Sequence, residues 1–588
     1  MLTCHAATSA SLSPPSGSLP DPFCGRLLGP PPADQHWWDS LLFAGPLVVR
    51  TGPEQAARVG GKAWRMYYHG RDTEEWGVGV CAQSGTPFGR VGMAADVLPW
   101  EGHRGVGQGD VCAAGHSVWA SGDGCQQRWD HVGEGCVCDY ESGVCVTIAG
   151  VRRSGASGCI VALYLVEPYP GPLPGGAVFD PSDDPSAFDS VHVGCSDVLL
   201  LPDGKWLMLY YAGGLDPGRF PAWPTGKTAL GARMRCGVAM SADGVTWQRA
   251  KAPFLDVGDV GSWDELAVSW PRLTVLSTWH SNTGAFAGAP HNLSKWEGRT
   301  SEGADGGEGG GEHTERATAK DAVHSSFADM AVADRLLTYQ SVGDPHAPGH
   351  AHVGEDGEVD RVPESLPQYC YTIGSAAFDP STKAWTKKGS CIRRGPLGAW
   401  DEAGANRRHV LPLAAFGPKA VQKWEQEQRV QQQEQRGQQG GMNEDSGAAG
   451  EGSIPPMLLM FYEGARYNGT YSIGLAYSAD GGETWEKARH VGPEPGGPIL
   501  QPRFGEEVWD NLLVGTPHLV VMGEGGEGKI EGVGEGKREG EVGNGRILMY
   551  YTGVGEVSGR GRVRGIGAAV WEGGETGDLS KWRRLFVD

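Results

Sequence analysis

Five aspartates stand at the same place in five copies of one pattern. Asp39, Asp189, Asp264, Asp401 and Asp510 each follow an aromatic residue and precede a short apolar run. Carboxylates gathered from separate copies could work as a pair, one giving a proton while another takes one or attacks. Glu265 and Glu402 extend two of the copies. A residue present in every copy also has a simpler role, accepting backbone N–H bonds where two units join. Polar residues found in only some copies are therefore the better candidates for chemistry. Asp197 and the run Arg407-Arg408-His409 lie near the start of an apolar strand, and Trp270 stands before a proline. His69 and Arg71 suit an anionic or hydroxyl-rich ligand. Glu463 and Arg466 could hold a hydroxyl or carboxylate, or form an ordinary surface ion pair.

The elements that must carry these residues are short strands. After each aromatic–Asp pair comes an apolar run, such as PLVVR (46–50) or HLVVM (518–522). An aromatic run follows: WRMYYHG, WLMLYYAG, RLLTYQS, LLMFYEG or ILMYYTG. The third run is rich in small residues: GVGVCAQS, CGVAMS, YTIGSAAF, SIGLAYS or GIGAAV. Its glycines would allow a neighbouring sheet to approach closely. Asp243-Gly244 and Asp480-Gly481 then signal a turn into a fourth strand. In the first copy the matching turn is expected at Asp123-Gly124, displaced by a cysteine-rich insert.

Five four-stranded units in sequence hide their edges by closing in a ring, so the expected fold is all-β, a five-bladed β-propeller of four-stranded antiparallel blades with low-complexity insertions. Repeats start near 38, 188, 263, 400 and 509, inside one domain spanning 37–588. Inserts are expected at about 100–175, 277–334, 417–456 and 523–545. The last three and residues 51–63 are polar tracts between first and second strands, where added length costs little closure entropy. A unit of about 70 residues exceeds the ~40–45 of a WD40 blade.

The combined pattern of Trp-Asp, strand proline, MYYxG and SxDGxxW resembles the five-bladed propeller glycosidases. These are the arabinanase, levansucrase and invertase superfamily, with glycoside hydrolase families 43 and 32 among its members. The resemblance covers roughly residues 37–586. It implies a carbohydrate ligand in an axial funnel and carboxylate acid/base hydrolysis of an oligosaccharide or glycoside. On that reading the catalytic candidates are Asp39, Asp189, Asp197 and Glu265. The substrate-binding candidates are His69, Arg71, Trp270, Arg408, His409, Glu463, Arg466 and Asp510. The chain departs from family 43 at the Asp preceding the strand proline, where it has Gly45, Trp270 and Thr516. That departure favours an alternative: a non-catalytic propeller that binds a carbohydrate or a protein. A sialidase-like propeller fits the SADGGETW turn, but five repeats argue against its six blades.

Composition sets the outer limits. The 588 residues are 39% hydrophobic and 21% charged, with 94 glycines, a composition suited to many turns around an ample core. A formal charge of −21 argues against nucleic acid as a partner. No apolar run approaches the ~20 residues of a membrane helix. No metal or other cofactor is expected, since the 13 cysteines show no CxxC pairing. A monomer is expected. Residues 1–36 read as an unstructured leader; its Ser/Thr/Ala-rich start resembles a transit peptide, pointing to plastid or cytoplasm ahead of secretion.

Overall fold

Among the described residues, each aromatic–aspartate pair fastens the strands of its own unit. Trp509 stacks on Tyr551 of the second strand at 5.8 Å, and the neighbouring Asp510 accepts the Tyr551 hydroxyl at 3.1 Å and Arg584 of the fourth strand at 3.0 Å. Trp400-Asp401 repeats this with Tyr462 and Lys487, and Trp263-Asp264 with Tyr339 and Lys387. Phe188-Asp189 does the same with Tyr210 and Arg249. All four carboxylates are buried. The expected partners were backbone N–H groups; the actual ones are a phenol and a cation from two other strands. A buried carboxylate needs its charge matched as well as its hydrogen bonds filled, and a peptide N–H cannot supply charge.

The computed structural model describes separate strands between residues 26 and 168, and then 178–201, 204–216, 231–275, 335–354, 357–379, 381–382, 384–427, 457–488, 496–522 and 546–585. Five antiparallel sets follow one another. The first comprises Leu42–Arg50, Trp64–Arg71, Arg90–Ala95 and Glu167–Pro168. The second comprises His192–Leu200, Trp206–Gly213, Met234–Ser241 and Gln248–Arg249. The third has Ala267–Val275, Arg335–Gly343, Cys370–Asp379 and Ala384–Ile392. The fourth has Gly404–Pro412, Leu458–Ala465, Tyr471–Ser478 and Glu486–Lys487. Leu513–Met522, Arg546–Val557, Gly561–Trp571 and Trp582–Arg584 make the fifth. The chain is therefore all-β in class. Single parallel pairings, Tyr371 with Gly404 and Tyr471 with Leu513, join the third, fourth and fifth sets, and among the described residues no sheet closes on itself.

Glycine in the third strand serves the unit's own aromatic rings rather than a neighbouring sheet. Gly474 lies opposite Tyr462, and a Cβ there would stand 2.3 Å from the Trp400 ring. Gly374 meets Trp263 in the same way. The Asp-Gly turns form as expected: Asp480 caps the Thr484 amide at 2.9 Å, and hydrogen bonds hold its carboxyl at about 2 against the upward pull of burial.

Three expectations change. Residues 26–28, assigned to the leader, form a strand on Ile566 and Gly567, where the third strand of the fifth set has an edge not covered by Trp582–Arg584. The tract 417–456 begins with a helix, 418–427, because Ala420 and Trp424 four residues apart bury one face in the core. The third strand of the first set is Arg90–Ala95; the expected GVGVCAQS and the Asp123-Gly124 turn lie outside the described residues. Between the third and fourth strands of that set, Glu134–Asp139, Val144–Val151 and Ile160–Tyr164 pair as a sheet of their own.

The glycine contact gives a measurable outcome. Gly474→Ala is expected to cost about 1–3 kcal/mol by forcing the Trp400 ring aside. Urea unfolding reads this directly, and a change under 0.5 kcal/mol would contradict the packing described.

Candidate functional site

One irregularity recurs in all five first strands. Pairing with the second strand slips at Ala44/Leu47, at Ser269/Arg272, at Ala405/Arg408 and at Gly515/His518, and the second set slips opposite Leu209/Tyr210. Each slip is a bulge carrying one extra residue. The backbone there is left-handed at Gly45 (φ 67°), Trp270 (φ 52°) and Thr516 (φ 53°). For the tryptophan and threonine this costs on the order of 1–3 kcal/mol each. Proline follows all three, at a place where the ladder has no use for its missing N–H.

The bulges bring the five first strands together around a buried polar centre. Asp197 of the second set accepts the Leu273 amide of the third at 3.0 Å. Arg272 donates to His518 Nδ1 of the fifth at 3.0 Å and lies 3.5 Å from His409 Nδ1 of the fourth. His518 Nε2 donates to the Val48 carbonyl of the first at 2.9 Å, and His409 Nδ1 accepts the Leu519 amide at 2.9 Å. These bonds assign both imidazoles as neutral. Burial and the Arg272 charge push His518 down to about 3, and burial, His518 and Arg272 hold His409 well below its ordinary value. Burial raises the Asp197 carboxyl while Arg272 pulls it back. Arg408 bonds Thr338 at 2.9 Å through Nε; burial and the like charge of Arg272 push it down to about 9.

Beside this centre lie two sets of side chains at equivalent places. Two residues before the aligned Leu47, Asp197, Arg272, His409 and His518, the bulge positions are Gly45, Cys195, Trp270, Arg407 and Thr516. The residues just after the second-strand tyrosines are His69, Tyr211, Gln340, Glu463 and Thr552. Glu463 is fully buried and accepts Asn406 Nδ2 at 3.2 Å, Arg407 Nη1 at 3.0 Å and the Thr516 amide at 2.8 Å. The Arg407 guanidinium lies over Trp270 at 4.6 Å; Trp270 stacks with Tyr211 at 4.7 Å and meets His69 edge-on at 5.3 Å. The Gly45 amide donates to Thr552 at 3.1 Å. A Cβ at Gly45 would stand 2.6 Å from His69 Nδ1, so the imidazole fills the space a side chain at that bulge would need. Half-buried Tyr371 and Tyr471 share a hydroxyl bond next to Arg407. Among the described residues, Ser196 Oγ, Gln340 Oε1, Asn406 Oδ1 and Arg407 Nε are buried with no hydrogen-bond partner.

His69, Asp197, Trp270, Arg408, His409 and Glu463 thus come together here. Trp270 is only 4% exposed, so its ring backs Arg407 instead of offering an open stacking face. Asp189 and Asp510 stay at the unit junctions, their carboxylates taken by Tyr210 with Arg249 and by Tyr551 with Arg503 and Arg584. Glu265 accepts the Gly261 amide in the loop leading into the third set, as Glu402 does for Gly398. Arg466 lies in the turn 466–470. Asp39 and the Arg71 side chain lie outside the described residues. Tyr211, Arg272, Asn406, Thr516 and His518 were not expected. For four of them the signal was present: Arg272, Thr516 and His518 flank the strand proline and Tyr211 follows the strand tyrosine, where the copies differ in chemistry. The fourth copy has no strand proline to mark Asn406.

Among solved structures, the chain is similar to a glycoside hydrolase at 12% identity, covering 93% of this chain and 91% of that one with a TM-score of 0.36. A thermostable family-43 glycoside hydrolase is similar at 10% identity, 92% of each chain and a TM-score of 0.36. Fructan 1-exohydrolase IIa from Cichorium intybus is similar at 7% identity, 93% of this chain and 60% of that one, with a TM-score of 0.33. No protein-family model matches the chain, and no curated protein matches it.

The neutral histidines set a pH dependence. In the unfolded chain they protonate near 6.5, while in the fold His518 stays neutral down to about 3. Below pH 6.5 the unfolded state therefore binds more protons, and stability present above that pH is lost as pH falls, by up to about 1.4 kcal/mol per unit per histidine. Urea unfolding between pH 7 and 4 should show this loss, with the slope flattened by about one histidine's share in His518→Asn. An unchanged slope in that variant would count against the neutral assignment.

Proposed function

We propose that residues 37–588 form a single five-bladed β-propeller that binds a carbohydrate in a funnel where the five first strands meet. The propeller reading is supported by side-chain contacts that run from each four-stranded set to the next and from the fifth back to the first. Examples are Tyr67 to Gly244 between the first two and His518 to Val48 between the last and first. The observation that carries the functional reading is the double ring of bulge and second-strand residues. It presents a half-buried tyrosine face, a cation and a fully buried carboxylate, together with buried polar atoms that have no partner among the described residues. Buried polar groups left open are costly, and a hydroxyl-rich ligand fills them. Aromatic faces with a few placed polar groups suit a sugar.

A second reading, hydrolysis of a glycoside, is favoured by Asp197 and Glu463 both lying at the meeting of the inner strands. Binding stands first because a general acid must carry a proton, and Glu463 accepts from Asn406, Arg407 and Thr516 at once. The usual first-blade carboxylate position is Gly45, its side-chain space taken by His69.

Thermal unfolding of the full chain against a panel of neutral and acidic sugars tests the reading. A bound sugar at ten times its Kd should add about 1.4 kcal/mol of stability, and Tyr211→Ala should weaken the affinity about tenfold. A panel that moves nothing would overturn the proposal. Turnover of an aryl glycoside, abolished in Asp197→Asn or Glu463→Gln, would replace it with the hydrolytic reading.

A further inference from the structure

The chemistry of the double ring also selects among sugars, an inference that rests on the carbohydrate-binding reading above. Arg407 is the cation of the ring that reaches solvent, its side chain 27% exposed. Only one corner of its guanidinium is used by the described residues. Nη1 bonds both oxygens of Glu463, at 3.0 and 3.2 Å, while Nε has no partner. Nε and Nη2 form one edge of the planar fork, the edge that matches the two oxygens of a carboxylate. The guanidinium carbon lies over the Trp270 ring at 4.6 Å and Glu463 fixes one corner, so the fork is positioned before any ligand arrives. The half-buried rings of Tyr211, Tyr371 and Tyr471 stand next to it.

Charge points the same way. Around the meeting of the first strands the described residues supply three guanidinium groups, Arg272, Arg407 and Arg408, against two carboxylates, Asp197 and Glu463. Arg408 is 1% exposed, and among the described residues its Nη1 and Nη2 have no partner. His409 and His518 are neutral and add nothing. Among the described residues the balance is one positive charge in poorly hydrated surroundings, where a single negative charge on the ligand is favoured.

We propose that the funnel takes a sugar bearing a carboxylate, a uronic acid residue, with that carboxylate on the Nε–Nη2 edge of Arg407 and the sugar ring against Tyr211. A neutral sugar fills the same space but leaves the fork open, as a site built for a polar group discriminates against the analogue lacking it. Phosphate is the other anion a guanidinium fork accepts, and it enters as a competing outcome.

Calorimetric titration of the full chain with methyl glucuronide and methyl galacturonide, against the matching methyl glucoside and galactoside, tests this. Inorganic phosphate serves as a fifth ligand. At least one uronide is expected to bind ten times more tightly than its neutral partner. Arg407→Lys keeps a cation beside buried Glu463 but removes the fork; it should erase that difference, lowering uronide affinity about tenfold more than it lowers the neutral sugar's. If Arg407→Lys unfolds, the paired change Arg407→Met with Glu463→Gln removes both charges together and should give the same result. Neutral sugars binding as well as uronides would overturn this inference and leave the carbohydrate reading standing. Phosphate binding lost in Arg407→Lys, without uronide preference, would overturn it in favour of a phosphate site. Binding of none of the five would overturn the carbohydrate reading together with it.

Discussion

The bulge in each first strand is the constraint on which everything else depends. A regular strand would send successive side chains to alternate faces along its whole length. One extra residue resets that alternation, so the side chains after the slip point to a place they could not otherwise reach. Because all five first strands slip at the same level, Asp197, Arg272, His409 and His518 arrive at a common centre with Val48. Left-handed backbone at Trp270 and Thr516 is the cost, a few kcal/mol in all. It is offset locally, since the bulge exposes amides that find strong acceptors: the Thr516 amide meets Glu463 and the Gly45 amide meets Thr552.

Strain at the centre is tolerable only if the units around it are rigid. That rigidity comes from the junctions, where an aromatic ring, a carboxylate, a tyrosine hydroxyl and a cation tie the first, second and fourth strands together. Asp510 shows the arrangement at its most complete, with Arg503, Arg584 and Tyr551 all on one buried carboxylate. Breaking such a cluster leaves an uncompensated charge, which typically costs 3–5 kcal/mol. The centre is built with the opposite economy. Ser196, Gln340, Asn406 and Arg408 keep polar atoms without partners among the described residues. The junction carboxylates are filled by protein partners, whereas these polar atoms where the first strands meet are not.

This contrast also explains what could be read from the chain alone. The fold class and its four-stranded sets were legible because the second to fifth sets each bury a leading aromatic ring and a second-strand tyrosine against a third-strand glycine, which leaves an aromatic–Asp pair, a tyrosine and a glycine in fixed order. The repeated aspartates were equally visible and for that reason misleading about chemistry: Asp189 and Asp510 repeat because each junction among the described residues is built on a buried carboxylate. The useful signal was weaker. In YYHG, LYYA, TYQS, FYEG and YYTG the residue after the tyrosine changes character from copy to copy. Strand alternation alone does not say which face it takes, since that depends on the bulge. The helix 418–427 was hidden inside a tract that composition marked as low complexity, although Ala420 and Trp424 are spaced to share one face. The strand at 26–28 was hidden because three residues carry no periodicity, and only the unpaired edge beside Ile566 selects them.

Repetition with one variable position per copy separates what holds the fold from what it does. Backbone and junction residues fix five inward slots, and the slots are filled by Leu47, Asp197, Arg272, His409 and His518, four chemistries in five copies. Changing one slot leaves the junctions untouched, so such a scaffold can exchange one site chemistry for another at modest structural cost. Gly45 is the clearest instance. A carboxylate at that bulge would need the space that His69 occupies, and His69 in turn packs on Trp270, which carries Arg407. The absence of an acid at the first bulge and the presence of a guanidinium at the fourth are therefore one packing solution. Through His69 and Trp270, the first unit's lack of a carboxylate and the fourth unit's fixed cation are physically the same fact.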